Sequence, residues 1–174
     1  MPGPPPGERV SLPWLDEPRF RCFGCSPHNL VGLALSVYRL PDGRIAAPST
    51  LSELHASYPG VVHGGVISAL VDEVMGNLVA LDHGMLAFCV SLRTKMLAPV
   101  RTKVPHLTVA RLAGRGAGVL RVEAEVLDPD DRVCALASGT YQPISSAAAR
   151  DLMGLDDAEF ARVSTYFDKE IEPS

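Results

Sequence analysis

The pattern of apolar and polar positions changes character along the chain, and the centre of that change is the stretch from His63 to Leu81. From Val66 to Leu81 apolar residues recur at helical spacing on every side, and a helix that is hydrophobic all round belongs in the middle of a fold. Beyond the Asp82-His83-Gly84 stop the period shortens. Four strand-like runs follow, Leu86 to Met96, Leu107 to Leu112, Val119 to Leu127 and Arg132 to Tyr141. In the third, Leu120, Val122, Ala124 and Val126 alternate with Arg121, Glu123 and Glu125, so one face meets a core and the other water. The links Gly114 to Gly118 and Asp128 to Asp131 are turn-like, which predicts an antiparallel meander.

Ahead of the helix, Leu33 to Leu40 and Arg44 to Ala47 flank Pro41-Asp42-Gly43 and predict a hairpin. His55 to Val62 then forms a loop, turned at Pro59-Gly60, that delivers the chain to the helix. Near the end, Asp156 with Glu159 three residues later resembles a capping box before Phe160, Val163, Tyr166 and Phe167. A terminal amphipathic helix is expected there. The sum is an α+β fold: an antiparallel sheet wrapped around one long central helix, with an N-terminal arm and a C-terminal helix. One sheet does not cover every side of such a helix, so a second subunit related by two-fold symmetry is expected.

Composition narrows this little. The 174 residues, 47% hydrophobic and 21% charged, suit one core, and a net charge of -4 argues against nucleic acid as a partner. Residues 1–20 read as a flexible Pro-rich arm, 21–145 as the main domain and 146–174 as a helical extension. The start, Met1-Pro2-Gly3-Pro4, is unlike a signal peptide, and no apolar run approaches the roughly 18 residues of a membrane span, so a cytoplasmic location is expected. Cys22, Cys25, Cys89 and Cys134 then read as free thiols. Cys22-Phe23-Gly24-Cys25 with His28 offers three ligands to zinc but lacks a fourth. It reads instead as a tight turn with two small thiols, and no metal is expected.

The segment His63-Gly64-Gly65, with Asp72 nine positions after the His and Gly76 four later, precedes a strand ending in Leu97-Ala98-Pro99. Together these residues resemble the hotdog-fold acyl-CoA thioesterases of the PaaI-like superfamily. The upstream Cys22-Phe23-Gly24-Cys25, Asn29, Gly32-Leu33 and Tyr58-Pro59-Gly60-Val61-Val62 resemble a bacterial branch similar to the mammalian Them4/Them5-type enzymes. The resemblance runs from about Cys22 to Tyr141 and implies hydrolysis of an acyl-CoA thioester to a carboxylic acid and free CoA, with no cofactor beyond the CoA of the substrate. It also implies a homodimer or homotetramer.

Such chemistry needs a polarised carbonyl and an attacking oxygen. Gly64 and Gly65 stand where unpaired N–H groups at a helix start would form an oxyanion hole. Asp72 is a carboxylate on an apolar helix, with Ser68, Ala69 and Gly76 on the same side leaving it room. The resemblance makes Asp72 the general base or the nucleophile, facing the active site of the other subunit. His63 holds the loop or orients substrate, and Glu73 reads as a surface or interface charge. Where the family often has Ser or Thr on the next strand this chain has Cys89, with Ser91 expected from the same strand face. Where many relatives carry Asn or Gln before His-Gly-Gly, His55 and Ser57 are the polar groups available. Arg93, Lys95, Arg101, Lys103 and Arg111 are candidates for a cationic rim around CoA phosphates. Two other functions fit the same fold, a non-catalytic acyl-CoA or acyl-carrier binder and a hotdog dehydratase using a His base.

Overall fold

The computed structural model describes residues 5, 7–16, 19–84 and 86–164. Two short strands, β1 (Glu8–Arg9) and β2 (Tyr38–Arg39), lead to β3 (Ile45–Thr50), then to a small hairpin of β4 (Ala56–Tyr58) and β5 (Val61–Val62). The central helix α1 (Gly64–His83) follows, then β6 (Ala87–Met96), β7 (Pro105–Gly116), β8 (Val119–Leu127) and β9 (Val133–Pro143), and finally α2 (Ser146–Met153) and α3 (Asp157–Ser164). The main sheet has the order β1-β2-β3-β7-β8-β9-β6, every neighbour antiparallel, and α1 packs against β3 and β6 to β9. This is the expected hotdog arrangement.

The helix is bounded as its sequence dictates. His63, in extended backbone, caps its start, and Gly84 takes the left-handed conformation (φ 56°) that ends it. Ile67, Leu70, Val71, Val74, Met75, Leu78 and Val79 are buried against Val122, Val126 and Ala135 of the sheet. Each large side chain so buried contributes about 1.5–3 kcal/mol, and together they seat the helix. At 20 residues and a mean hydropathy of 1.4, α1 is in fact long and apolar enough to cross a bilayer, which corrects the expectation that no run reaches that length. Here half of that apolar stretch is buried inside the fold.

Several elements depart from the sequence reading. Only Tyr38 and Arg39 of the run Leu33 to Leu40 pair as a strand. The reason is local: Ala34 has φ 47°, and the N–H groups of Leu33 and Leu35 donate to the carbonyls of Phe23 and Gly24 at 2.7 and 2.9 Å, tying this segment to the Cys22–Cys25 turn. β7 runs through Gly114 to Gly116, and the turn is confined to Ala117-Gly118, both with positive φ as a tight twisted hairpin requires. The loop expected before α1 holds the β4–β5 hairpin. The C-terminal extension is two helices, broken where Gly154 adopts φ 59°. The Asp156–Glu159 box is present, each backbone N–H bonded to the other's carboxylate at 2.8 Å, and Phe160 packs on the core. Tyr166 and Phe167 lie outside the described residues.

In the N-terminal arm, Leu12 and Trp14 are buried in the main core. Trp14 thereby reaches the functional cavity.

Candidate active site

Asp72, halfway along α1, points toward the inner face of β9. There Tyr141 donates its hydroxyl to Asp72 Oδ1 at 2.7 Å and to the Asp72 carbonyl at 3.2 Å. Burial, then the charge of Asp72, pushes the Tyr141 phenol far above its ordinary value, so it stays a donor. Glycines make the room. A side-chain carbon at Gly139 would lie 2.7 Å from the Tyr141 ring, and one at Gly76 would meet the ring's other edge at 3.9 Å. Small residues on both elements let the phenol reach the carboxylate.

Cys89 stands opposite Tyr141 in the β6–β9 register and lies beside Asp72. Burial, reinforced by Asp72, pushes its thiol up to about 11, and Sγ lies 3.5 Å from the Ser91 carbonyl. The next register pair is Ser91 with Thr140, so a bulge at Val90 reverses the face of the strand. Ser91 therefore points away from Asp72, which corrects the expectation that it shares the face of Cys89. Thr94 lies inward again and accepts from Ser68 at 3.3 Å, while Ser68 also returns to the Gly64 carbonyl at 3.1 Å. Asp72, Tyr141 and Cys89 line a cavity of about 290 Å³ together with Trp14, Cys22 and Asn77.

The helix start is exposed. His63 Nδ1 accepts from the Gly65 N–H at 2.9 Å, a capping role, and its carbonyl accepts from Val66 and Ile67. The Gly64 N–H takes no partner among the described residues, so it is the free donor, carrying the helix's partial positive charge. Eight residues at about 1.5 Å rise separate it from Asp72, roughly 12 Å along the axis. That is too far for both to touch one carbonyl at hydrogen-bond distance.

The comparisons with known proteins agree with the fold. The profile of the Thioesterase superfamily matches residues 59–135, which span the helix and three long strands. A Saccharolobus solfataricus protein that bears an esterase name is 30% identical over 111 residues, covering 63% of this chain and 78% of its own. The chain belongs to the thioesterase superfamily. A solved thioesterase superfamily protein matches at 25% identity and TM-score 0.63, over 67% of this chain and 60% of its own length. A Streptococcus mutans protein solved with acetyl-CoA matches at 21% identity and TM-score 0.58, over 64% and 89%. The Escherichia coli PaaI protein of the phenylacetic acid degradation operon matches at 17% and 0.59, over 65% and 81%. The chain shares the hotdog fold of PaaI and is a thioesterase-superfamily hydrolase acting on thioesters.

The remaining residues of this thioesterase singled out in the sequence lie in three places. His55 is occupied locally, its Nδ1 receiving the Ser52 N–H at 3.1 Å and its carbonyl the His63 N–H at 2.8 Å. Arg93 and Lys95 lie on the outer face of the sheet with Arg44 and Arg111, in a shallow basin of about 460 Å³. Glu73, read as a surface or interface charge, is half-buried within this chain, receiving Cys22 Sγ at 3.1 Å and Asn77 Nδ2 at 2.8 Å. Two polar partners escaped the sequence reading, Tyr141 and Asn77. Tyr141 had a signal: along Ala135, Ala137, Gly139 and Tyr141 the inward positions are small until one large hydroxyl-bearing ring.

Proposed function

We propose that this thioesterase hydrolyses acyl-CoA in a site shared by two subunits, with Asp72 of one facing the helix start of the other. The separation of Asp72 from Gly64 carries the reading, because a base and an oxyanion donor about 12 Å apart on one helix serve one carbonyl only across a two-fold pair. The exposed apolar residues of edge strand β6 supply a surface for such pairing, with Phe88 at 48% and Val90 at 54% exposure. The acetyl-CoA bound to the Streptococcus mutans protein supports a CoA thioester as substrate. The catalytic unit is residues 21–145, to which the arm lends Trp14 on the cavity wall.

Tyr141 holds Oδ1 of Asp72, leaving the second oxygen to take a proton from water. That water's oxygen bonds to the thioester carbon, and the carbonyl oxygen, now an anion, is met by the partner's free N–H at Gly64. Collapse breaks the carbon–sulfur bond, and the departing thiolate takes the proton back from Asp72. No cofactor enters, since CoA is part of the substrate. His63 shapes the helix start, and the Cys89 thiol stays protonated beside the carboxylate.

A panel of acyl-CoA substrates with a thiol-reactive dye tests this. Release of free thiol that disappears in Asp72→Ala, with substrate binding retained, is expected. Wild-type protein that binds CoA esters but turns none over would favour the non-catalytic binder instead.

A further inference from the structure

We propose that Cys22, Cys25 and Glu73 form a binding site for a thiophilic divalent cation of the zinc class, on the wall of the cavity that holds Asp72. The two sulfurs and a Glu73 carboxylate oxygen lie within 4.8 Å of one another, all at least half-buried. A tetrahedral ion with bonds of about 2.3 Å to sulfur and 2.0–2.2 Å to oxygen sits among three atoms so spaced with small adjustments. Two soft thiolates and one carboxylate select zinc-like ions over magnesium or calcium. Glu73, on the helix, thus takes the third place that the sequence offered to His28. His28 is spent elsewhere, its Nε2 lying 3.2 Å from the Leu15 carbonyl.

The surroundings are those a metal-bound set requires. Gly24 donates its N–H to Cys22 Sγ and Trp14 its indole N–H to Cys25 Sγ, each at 3.3 Å, so both sulfurs already accept the kind of bond that stabilises thiolate. Glu73 Oε1 accepts from Asn77 Nδ2 at 2.8 Å, which fixes the carboxylate and turns Oε2 toward Cys22. Outer partners that orient a ligating carboxylate are a regular part of metal sites. The turn also closes around the carboxylate: a side-chain carbon at Gly24 would fall 2.2 Å from Glu73 Cγ. Two thiolates and a carboxylate this close and half-buried would repel one another, and a cation among them would offset that repulsion. All three residues line the cavity, from which water would complete the coordination of a bound ion. The ion would clasp the Cys22–Cys25 turn to α1 one residue from Asp72, distinct from the hydrolytic groups.

The test uses the full-length protein, reduced and stripped with a chelator, then titrated with cobalt(II) and with zinc(II). One equivalent of cobalt per chain is expected, with thiolate-to-cobalt charge-transfer absorption and tetrahedral d–d bands. Both should vanish in Cys22→Ser/Cys25→Ser. Asn77→Ala should weaken zinc binding about 10- to 100-fold, and Gly24→Ala should reduce it by displacing Glu73. A rise in the wild-type melting temperature that saturates at one equivalent of zinc supports the site without any variant. Absence of the charge-transfer band, uptake unchanged in the double variant, or isolation as a metal-free Cys22–Cys25 disulfide would overturn it. None of these readouts depends on thioester turnover.

Discussion

The hydroxyl of Tyr141 donates to Oδ1 of Asp72 at 2.7 Å, joining the last sheet strand to the middle of the central helix. A bond to a charged partner contributes about 1.5–3 kcal/mol, and here it also fixes which carboxylate oxygen faces the cavity. In Tyr141→Phe, kcat should fall by about tenfold or more with KM little changed, since the loss is of orientation and not of substrate contact. Steady-state kinetics at neutral pH decides it. Wild-type kcat in the variant would reduce Tyr141 to a packing residue.

Gly139→Ala should reproduce that defect from a distance. The added carbon would lie 2.7 Å from the Tyr141 ring and 3.3 Å from Met75, so the ring must shift off Asp72. Overpacking of this kind costs about 1–3 kcal/mol. Chemical denaturation and kcat measured together should both fall, and a loss of stability with full activity would contradict the account.

Gly64→Pro isolates one N–H group. Gly64 is the first helical position, where proline is tolerated, and His63 already has the extended backbone (φ -64°, ψ 136°) that a residue before proline needs. Among the described residues, a β-carbon there would meet Met96 alone, at 3.6 Å. The fold and melting temperature should survive while kcat drops about 10²- to 10³-fold, the usual consequence of deleting one oxyanion donor.

The Cys89 thiol, pushed up to about 11 by burial and by Asp72, should be nearly inert to iodoacetamide at pH 8. Because the folded value lies above that of a free thiol, the protonated form is favoured throughout the neutral range. The stabilisation it reflects is fully present below the free-thiol value and is lost as pH rises from there through the folded value. Alkylation of the Cys89 peptide, followed by mass spectrometry, should accelerate only toward pH 11. Cys89→Ser places a stronger hydrogen-bonding group beside the carboxylate and should keep or raise kcat.

Much of this was readable beforehand. The unbroken apolar character of Val66 to Leu81 and the alternation from Leu120 to Val126 define the helix and the sheet face it meets, because periodicity reports burial directly. Asp72 was conspicuous as a charge on an apolar element. What escaped depends on contacts between distant segments. The pairing of Tyr141 with Asp72 spans 69 residues. The face of Ser91 turns on a bulge at Val90 that alternation alone does not show. Glu73 looked like a surface or interface charge because the turn that covers it comes from Gly24, far earlier in the chain. The failed strand at Leu33 to Leu40 has the same origin, its backbone being captured by that turn.

The central claim, that Asp72 works with the helix start of a second subunit, is tested most directly by mixing two dead variants. In a heterodimer of Asp72→Ala and Gly64→Pro chains, purified through two different tags, a shared site leaves one of the two sites fully intact. About half the wild-type kcat per dimer is expected, although each parent homodimer is nearly inactive. If the heterodimer forms and stays as inactive as its parents, base and donor act within one chain and the shared site is wrong.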